Sequence, residues 1–502
     1  MSTQTDTPKI LGLSASIRSS RAHPETHPLV GGLAGLADSK ALTAFLRQCI
    51  RADPGPFVEA HPDLSFDEAY RKYRHASGHR SLSNSEAGLY AALWAAQQAG
   101  CDIHHVPLSR HFPTEDETRD LDALLNELRR ADAVVLASPV YFGDRGSLAD
   151  RFLRTVAQRV PIDTQLQDKL FAGIAVGAKR NGGQETTLVF QLMDALELDW
   201  LVVGNDTGTT AQYGGTLCAG DLGMAAEDEY GLKTAIGVGK RLTDACRIHR
   251  AGKRATLRAP AVTGVWQFQE KQGQVRALLD SVLPKDGPAR FQIPDLFDGP
   301  IHPCIACDLC PTRTGPDEEY RCIIHNRDDV FVRKHRELIE PDILMPVMYA
   351  GSDRRDVQDR YQLFMERTRY LRRDAYMYAN RMVVPLAFVD LKIRSAPWLR
   401  PLVSFIRHNT ILHRPILAWM QDDQLLDADS VRNQIAQALR QGNRITAGRL
   451  ATTGQRAQAG QYHPIGYPLA TRRQREDRQR QADHNKLEQR RENEFKRAAT
   501  AL

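Results

Sequence analysis

The sequence has no run of about 18 apolar residues, so no segment is expected to span a membrane as a helix. Met1–Thr7 is polar and leads straight into a strand-like run, so no secretory signal is expected. Cysteine is sparse outside one cluster: Cys49, Cys101, Cys218 and Cys246 are scattered, and the other four crowd between Cys304 and Cys322. A secreted disulfide scaffold would be shorter and denser in cysteine, which makes the cytoplasm the expected compartment. A large charge excess is also lacking, since a net +6 over 502 residues is a weak argument for nucleic acid. The first strand-like run, Lys9 to Ser14, is followed neither by the spaced glycines of a dinucleotide fingerprint nor by a Gly-Lys-Ser/Thr phosphate loop.

What is present is an alternation. Short apolar strands at 9–14, 102–108, 133–137, 171–176 and 200–203 alternate with helical patterns at 85–99, 114–130, 147–160, 185–196 and 231–249. Strands of this kind, separated by helices, predict a parallel sheet covered on both faces, with ligands at the carboxyl ends of its strands. A second alternation runs through strands at 262–268, 290–293, 343–348, 382–389 and 411–419, with helices at 272–283, 328–339, 356–370 and 428–441. The chain is therefore read as 1–250, a linker at 251–261, a second domain at 262–450 and a charged tail at 451–502. The two domains are either an internal duplication or two unrelated α/β folds. The expected fold class is α/β, two doubly wound parallel sheets of strand order 2-1-3-4-5. From Thr471 to Arg497, ten Lys or Arg stand against six Asp or Glu, the composition of a solvated, partly helical basic tail.

Three loops of the first domain carry chemistry. Ser14-Ala15-Ser16-Ile17-Arg18 lets small hydroxyl residues, backbone amides and one guanidinium converge on a phosphate. Ser83-Asn84-Ser85 repeats that chemistry at the start of the next helix, where such residues also serve as plain caps. Ser138-Pro139-Val140-Tyr141-Phe142-Gly143 closes the third strand, and Asn181-Gly182-Gly183-Gln184-Glu185 follows the fourth. Together these segments resemble the NADPH-dependent FMN reductase family, as if its phosphate loop had been split by the 64 residues Ser19 to Leu82. The resemblance implies a flavodoxin-like fold with FMN as cofactor and NAD(P)H as electron donor. It implies that Ser14, Ser16, Arg18, Ser83, Asn84 and Ser85 surround the phosphate. Pro139, Val140, Tyr141, Phe142 and Gly143 would then meet one edge of the flavin ring, and Asn181, Gly182, Gly183, Gln184 and Glu185 its other side. The insert 19–82 begins irregularly, carries a helix near 65–75, and reads as a lid or docking element. No proton donor stands out near the ring except Tyr141.

Cys304-x2-Cys307-x2-Cys310-x11-Cys322 offers four thiolates in one loop, suited to a [4Fe–4S] cluster, to a structural zinc, or to neither if it is a relic. The surrounding sequence resembles the iron–sulfur flavoproteins, in which a compact cysteine cluster precedes an acidic pair like Asp328-Asp329. The second domain lacks the phosphate cradle: Gly264 to Glu270 has no Ser or Arg and places an acid where phosphate would lie. The losses are complementary, and the resemblance implies a fused pseudo-dimer with one flavin site and one metal site. Two functions stay open. One is an FMN-dependent NAD(P)H oxidoreductase passing electrons to a quinone, a flavin or a similar acceptor. The other is an electron carrier that serves a redox protein partner. A scaffold whose insert abolishes flavin binding is a third, blander reading.

Overall fold

The computed structural model describes residues 7–17, 28–50, 54–76, 82–220, 223–285, 289–306, 322, 324–352, 359–373, 376–453, 496–497 and 500. The chain divides into two compact units, Met1–Cys246 and Arg247–Leu502.

In the first unit, β1 (Lys9–Ser14) is followed by the insert, which carries α1 (Ser39–Cys49) and α2 (Phe66–Ala76). The alternation then resumes with α3 (Asn84–Gln98), β2 (Asp102–Pro107), α4 (Leu121–Arg130), β3 (Ala133–Pro139) and α5 (Gly146–Ala157). It continues through β4 (Leu170–Gly177), α6 (Gln184–Glu197), β5 (Leu201–Val202), β6 (Gly215–Cys218) and α7 (Glu229–Gly252), which runs across the division between units. β1 pairs in parallel with β2 and β3, β3 with β4, and β4 with both β5 and β6. The order is 2-1-3-4-5, the flavodoxin-like winding, with the fifth strand in two pieces. β4 is buried at every residue and β3 at all but Pro139, as a parallel strand sandwiched between helices must be. α4 buries Leu124, Leu125 and Leu128 at three-to-four spacing, while its charged residues face outward.

The second unit repeats the winding. Its elements are β7 (Val262–Gln267), α8 (Gln274–Val282), β8 (Arg290–Gln292), β9 (Ile343–Ala350), α9 (Asp359–Arg367), β10 (Met382–Val383), β11 (Leu386–Asp390), β12 (Ile411–Leu412), β13 (Ile416–Gln421), β14 (Gln424–Leu425) and α10 (Ala428–Ala451). β7 lies between β8 and β9, β9 pairs with β10 and β11, and β12 and β13 pair with β10 and β11 respectively. β14 turns back antiparallel on β13. The expected strands at 382–389 and 411–419 each break at a proline, Pro385 and Pro415, which cannot donate to the ladder.

Other expectations shift in place. The helix expected at 114–130 begins only at Leu121, that at 428–441 runs on to Ala451, and the piece of the fifth strand at Gly215–Cys218 adds to the one expected at 200–203. The expected helix at 328–339 is two short turns, Val330–Arg333 and His335–Ile339. Most of the basic tail lies outside the described residues. Among the described residues, no helix is long and apolar enough to cross a membrane.

Candidate functional site

The loops after β1, β3 and β4 lie side by side at the carboxyl edge of the first sheet. Ala15 N donates to Ala137 O at 2.8 Å and Val140 N to Val176 O at 3.0 Å, so the parallel ladder carries past the strand ends into the loops. The end of β1 meets the start of α3 despite the 64-residue insert between them. The end of the insert is tied to its own middle: Leu82 N donates to Cys49 O at 3.2 Å, next to an Ile50–Leu82 bridge, just before Ser83 opens α3. Ser14 Oγ then lies 3.4 Å from Glu86 Oε1, in the first turn of that helix.

Not every serine of the cradle points at a ligand. Ser83 is the N-cap of α3 in a capping box: its Oγ accepts from Glu86 N, and Glu86 Oε2 accepts from Ser83 N at 2.7 Å. Ser14 is fully buried, with its Oγ 2.9 Å from His105 Nε2. Tyr90 OH lies 3.4 Å from His105 Nδ1, and burial, with the Glu86 and Cys49 charges adding, pushes the tyrosine hydroxyl well above its ordinary range. Ser14, Ser83, Glu86, His105 and Tyr90 thus form a polar floor. Asn84 and Ser85 open α3, where first-turn backbone donors and the helix dipole favour an anion, and Ser16 is buried in the loop after β1. Asn84 Oδ1 accepts from Ala225 N at 3.2 Å, which brings the turn Met224–Glu227 against the helix start. Arg18 lies outside the described residues.

The loop after β3 is a two-residue turn, closed by Tyr141 N to Asp144 O and Asp144 N to Tyr141 O, both 2.9 Å. Its centre is left-handed, at φ 51° for Phe142 and 80° for Gly143. That conformation is costly for a bulky residue, and it holds the Phe142 ring entirely in solvent beside a half-exposed Tyr141. Pro139 and Val140 are half-buried beneath. Arg145, absent from the sequence-based site, pins this loop through ion pairs to Asp194 at 2.6 Å, Asp144 at 2.7 Å and Asp150 at 3.2 Å. Burial, with Asp144, Asp150 and Glu197 adding and Arg145 opposing, raises the Asp194 carboxyl to about 6.

The loop after β4 abuts the loop after β3. Gly183, at φ 101°, comes so close that a Cβ there would stand 2.9 Å from Gly143 Cα. Asn181, left-handed at φ 59°, and Gly182 are exposed, as is Glu185 in the first turn of α6. Gln184 instead turns inward: its Nε2 donates to Lys179 O at 2.7 Å and Leu217 O at 3.1 Å, so it shapes the loop from below. Arg180, also missed from sequence, pairs with Asp228, lies 5.3 Å from the Tyr230 ring centroid, and ties the loop to the segment after β6.

The insert braces the site from one side. Asp38 caps α1 by accepting from Lys40 N and Ala41 N, and α1 buries Leu42 and Leu46. Arg47 Nη2 pairs with Glu227 Oε2 at 2.6 Å, and Trp94 Nε1 donates to Leu36 O at 3.0 Å. The insert therefore packs on α3 and on the turn that reaches Asn84.

In the second unit, Cys304 and Cys322 are half-buried, whereas Cys307 and Cys310 lie outside the described residues. Among the described residues, no group of three or more His, Cys, Asp and Glu is placed to hold a metal ion. Around Cys322 the surroundings are polar and charged. Arg367 is buried, with Nη1 3.7 Å from Cys322 Sγ and Nη2 3.8 Å from buried Asp329. Asp329, half of the expected acidic pair, caps the next helical turn through Phe331 N and accepts from His302 N at 3.0 Å, with His302 Nδ1 at 2.8 Å.

A doubly wound sheet of order 2-1-3-4-5, with three loops side by side at its carboxyl edge, defines a flavodoxin-like fold. The family model for NADPH-dependent FMN reductase matches residues 77–214, a range that starts where the insert ends. An iron–sulfur flavoprotein of Methanosarcina thermophila is 31% identical over 181 residues, covering 33% of this chain and 89% of that protein. One from Methanocaldococcus jannaschii is 36% identical over 129 residues, 26% of this chain and 66% of that protein. An NAD(P)H dehydrogenase (quinone) of Solidesulfovibrio magneticus is 30% identical over 138 residues, 25% of this chain and 68% of its own. The chain belongs to the NADPH-dependent FMN reductase and iron–sulfur flavoprotein family, and its class is that of flavin-dependent oxidoreductases.

Proposed function

We propose that this chain is an FMN-dependent NAD(P)H oxidoreductase that passes electrons to a quinone, a flavin or a similar acceptor. The observation that carries the reading is the rim of the first sheet. A phenylalanine held left-handed and fully exposed stands beside a half-exposed tyrosine in the loop after β3, and the neighbouring β1 ends against the N-terminus of α3, capped by Ser83. An apolar plate at one end and an anion cradle at the other fit a planar ring that carries a phosphate tail.

In this reading Ser16, Arg18, Asn84 and Ser85 hold the phosphate, with Ser14, Ser83 and the Glu86–His105 pair fixing the floor beneath them. The turn Tyr141–Gly143 and the loop Asn181–Gly183 take the two sides of the ring, with Arg145 and Gln184 as the props that set their positions. FMN bound there supplies carriage of one or two electrons between donor and acceptor; the protein supplies orientation and exclusion of water. The same reading assigns Cys304, Cys307, Cys310 and Cys322 to a [4Fe–4S] cluster, and the charged neighbour Arg367 suits a centre built on anionic sulfur. It takes the second unit as a diverged copy of the first, one copy keeping the flavin loops and the other the cysteines.

The test is the visible spectrum and metal content of anaerobically purified protein, followed by NADPH oxidation with FMN and a dye acceptor. Flavin bands with NADPH turnover are expected, as is iron that is lost in Cys307→Ser while FMN is retained. Protein that takes up no flavin refutes the proposal. Reduction by ferredoxin-like donors alone marks an electron carrier instead.

A further inference from the structure

The turn from β7 to α8 is the counterpart, in the second unit, of the phosphate turn in the first: β7 sits between β8 and β9 as β1 sits between β2 and β3. It holds no hydroxyl residue, yet its backbone is wound as an anion receptor. Gln272 and Gly273 are left-handed, at φ 52° and 84°, and the donors on either side of them converge on one carboxylate. Glu270 Oε1 accepts from Lys271 N at 2.7 Å and Val275 N at 3.1 Å, and Oε2 accepts from Arg276 N at 3.2 Å. Burial pushes the Glu270 carboxyl up, but the bonds from Gln267 and from these three amides outweigh it and hold the group below its ordinary range.

A second observation concerns Gln267, at the end of β7 and only 1% exposed. Its Nε2 donates to Glu270 Oε2 at 2.8 Å and to Gln269 O at 2.9 Å, which fixes the orientation of the amide. Its Oε1 is buried without a partner among the described residues. A carboxylate has no proton to offer that oxygen. A protonated oxyanion has one.

We propose that the β7–α8 turn is an oxyanion cradle occupied by the chain's own Glu270 carboxylate, and that with this side chain removed it takes hydrogen phosphate, whose P–O–H satisfies Gln267 Oε1. In the native chain the cradle is thus filled from within, and only the first unit is open to a flavin phosphate.

The experiment compares full-length wild type and Glu270→Ala by thermal unfolding, both saturated with FMN, against inorganic phosphate and against sulfate at equal ionic strength. Because the first unit is the same in both proteins, their difference reports the second unit whether or not FMN binds. The expected result is a variant of lower Tm in ion-free buffer, rescued by phosphate in a saturable way, less by sulfate, while wild type responds to neither. The rescue follows from binding to the folded state alone, so its size rises with the logarithm of phosphate above Kd. A variant rescued by neither ion, or equally by both, overturns the proposal. Should Glu270→Ala fail to fold, Glu270→Ser carries the same comparison, since its short side chain also leaves the cradle empty.

Discussion

Replacing Gly183 by alanine separates a loop that merely turns from one that docks. At φ 101° an L residue pays about 1–3 kcal/mol of backbone strain. The added Cβ would also meet Gly143 Cα at 2.9 Å, Val140 Cγ1 at 3.3 Å and Gly143 N at 3.4 Å. Two of these three atoms are backbone and cannot swing aside, so overpacking adds about 1–3 kcal/mol unless the loops part. In the free protein they can part. If Tyr141–Gly143 and Asn181–Gly183 flank the ring, binding must hold the two loops where they abut at Gly143 and Gly183 and so restore the clash. The second term then falls on affinity, and at about 1.4 kcal/mol per tenfold FMN binding weakens by about 5- to 150-fold. Gly100→Ala is the control: φ is 84°, and no atom lies within 4 Å of its Cβ, so it carries strain alone. Chemical denaturation of the free proteins should show both variants destabilised to a similar extent, by the backbone strain they share. Flavin fluorescence titration should show weakened binding only for Gly183→Ala. Equal affinity in the two variants would refute the placement of the ring between these loops.

Asp194→Asn tests the loop anchor through pH. The folded carboxyl, at about 6, lies above its unfolded value near 3.9, so its stabilising contribution is full below pH 4 and is lost as pH rises through 6. Two pH units amount to about 3 kcal/mol, which the side chain's 30% exposure reduces to about 1–2. The stability of Asp194→Asn relative to wild type should improve by that amount from pH 4 to pH 7, and parallel profiles would show that the group does not titrate there. Phe142→Ser removes a ring with no packing to lose, so stability should change by less than about 0.5 kcal/mol while FMN affinity falls by about 0.5–1.5 kcal/mol of stacking. A loss of stability with unchanged affinity would assign the ring a structural role instead.

The fold was legible because its strands are short, apolar and bounded. Val134-Val135-Leu136 and Phe171 to Val176 can be little other than buried parallel strands, and both are. The broken strands were not legible in detail. Pro385 and Pro415 interrupt hydrogen bonding without changing the apolar pattern around them, and Gly215–Cys218 is too short to carry a period of its own. In the site, the residue types of the three loops could be read, but not which way each side chain faces. Ser14 and Gln184 have the chemistry of ligand contacts, yet their partners His105 and Leu217 come from distant strands that only folding brings near. Arg145 and Arg180 were missed for the same reason, since their acids, Asp194 and Asp228, lie 49 and 48 residues further along the chain.

If the second unit is a diverged copy of the first, as proposed, it illustrates why a binding site is seldom lost by deleting its ligand contacts alone. A strand-to-helix turn leaves backbone donors at the helix start whatever its side chains are, and buried donors without partners are expensive. Exchanging the serines for apolar residues would leave those donors bare. Supplying a carboxylate from the same turn satisfies them, and Glu270 does so with three amides. The neighbouring loop is closed in a similar way. Asp423, in the tight turn between β13 and β14, accepts from Ser352 N at 3.0 Å, from Tyr349 OH at 3.2 Å and from Lys271 Nζ at 3.5 Å, so the end of β9 is tied down. Burial pushes the Asp423 carboxyl up, but the Ser352 amide, Lys271 and Tyr349 outweigh it and hold it low. Two acids thus stand at the ends of β7 and β9, where the first unit presents hydroxyls and an exposed aromatic pair. A carboxylate held by amides and a lysine is a fixed negative charge, and it repels the phosphate that the same winding would otherwise attract. On the proposed function, that repulsion limits the chain to one flavin, and a second equivalent of bound FMN in the wild-type protein would contradict it.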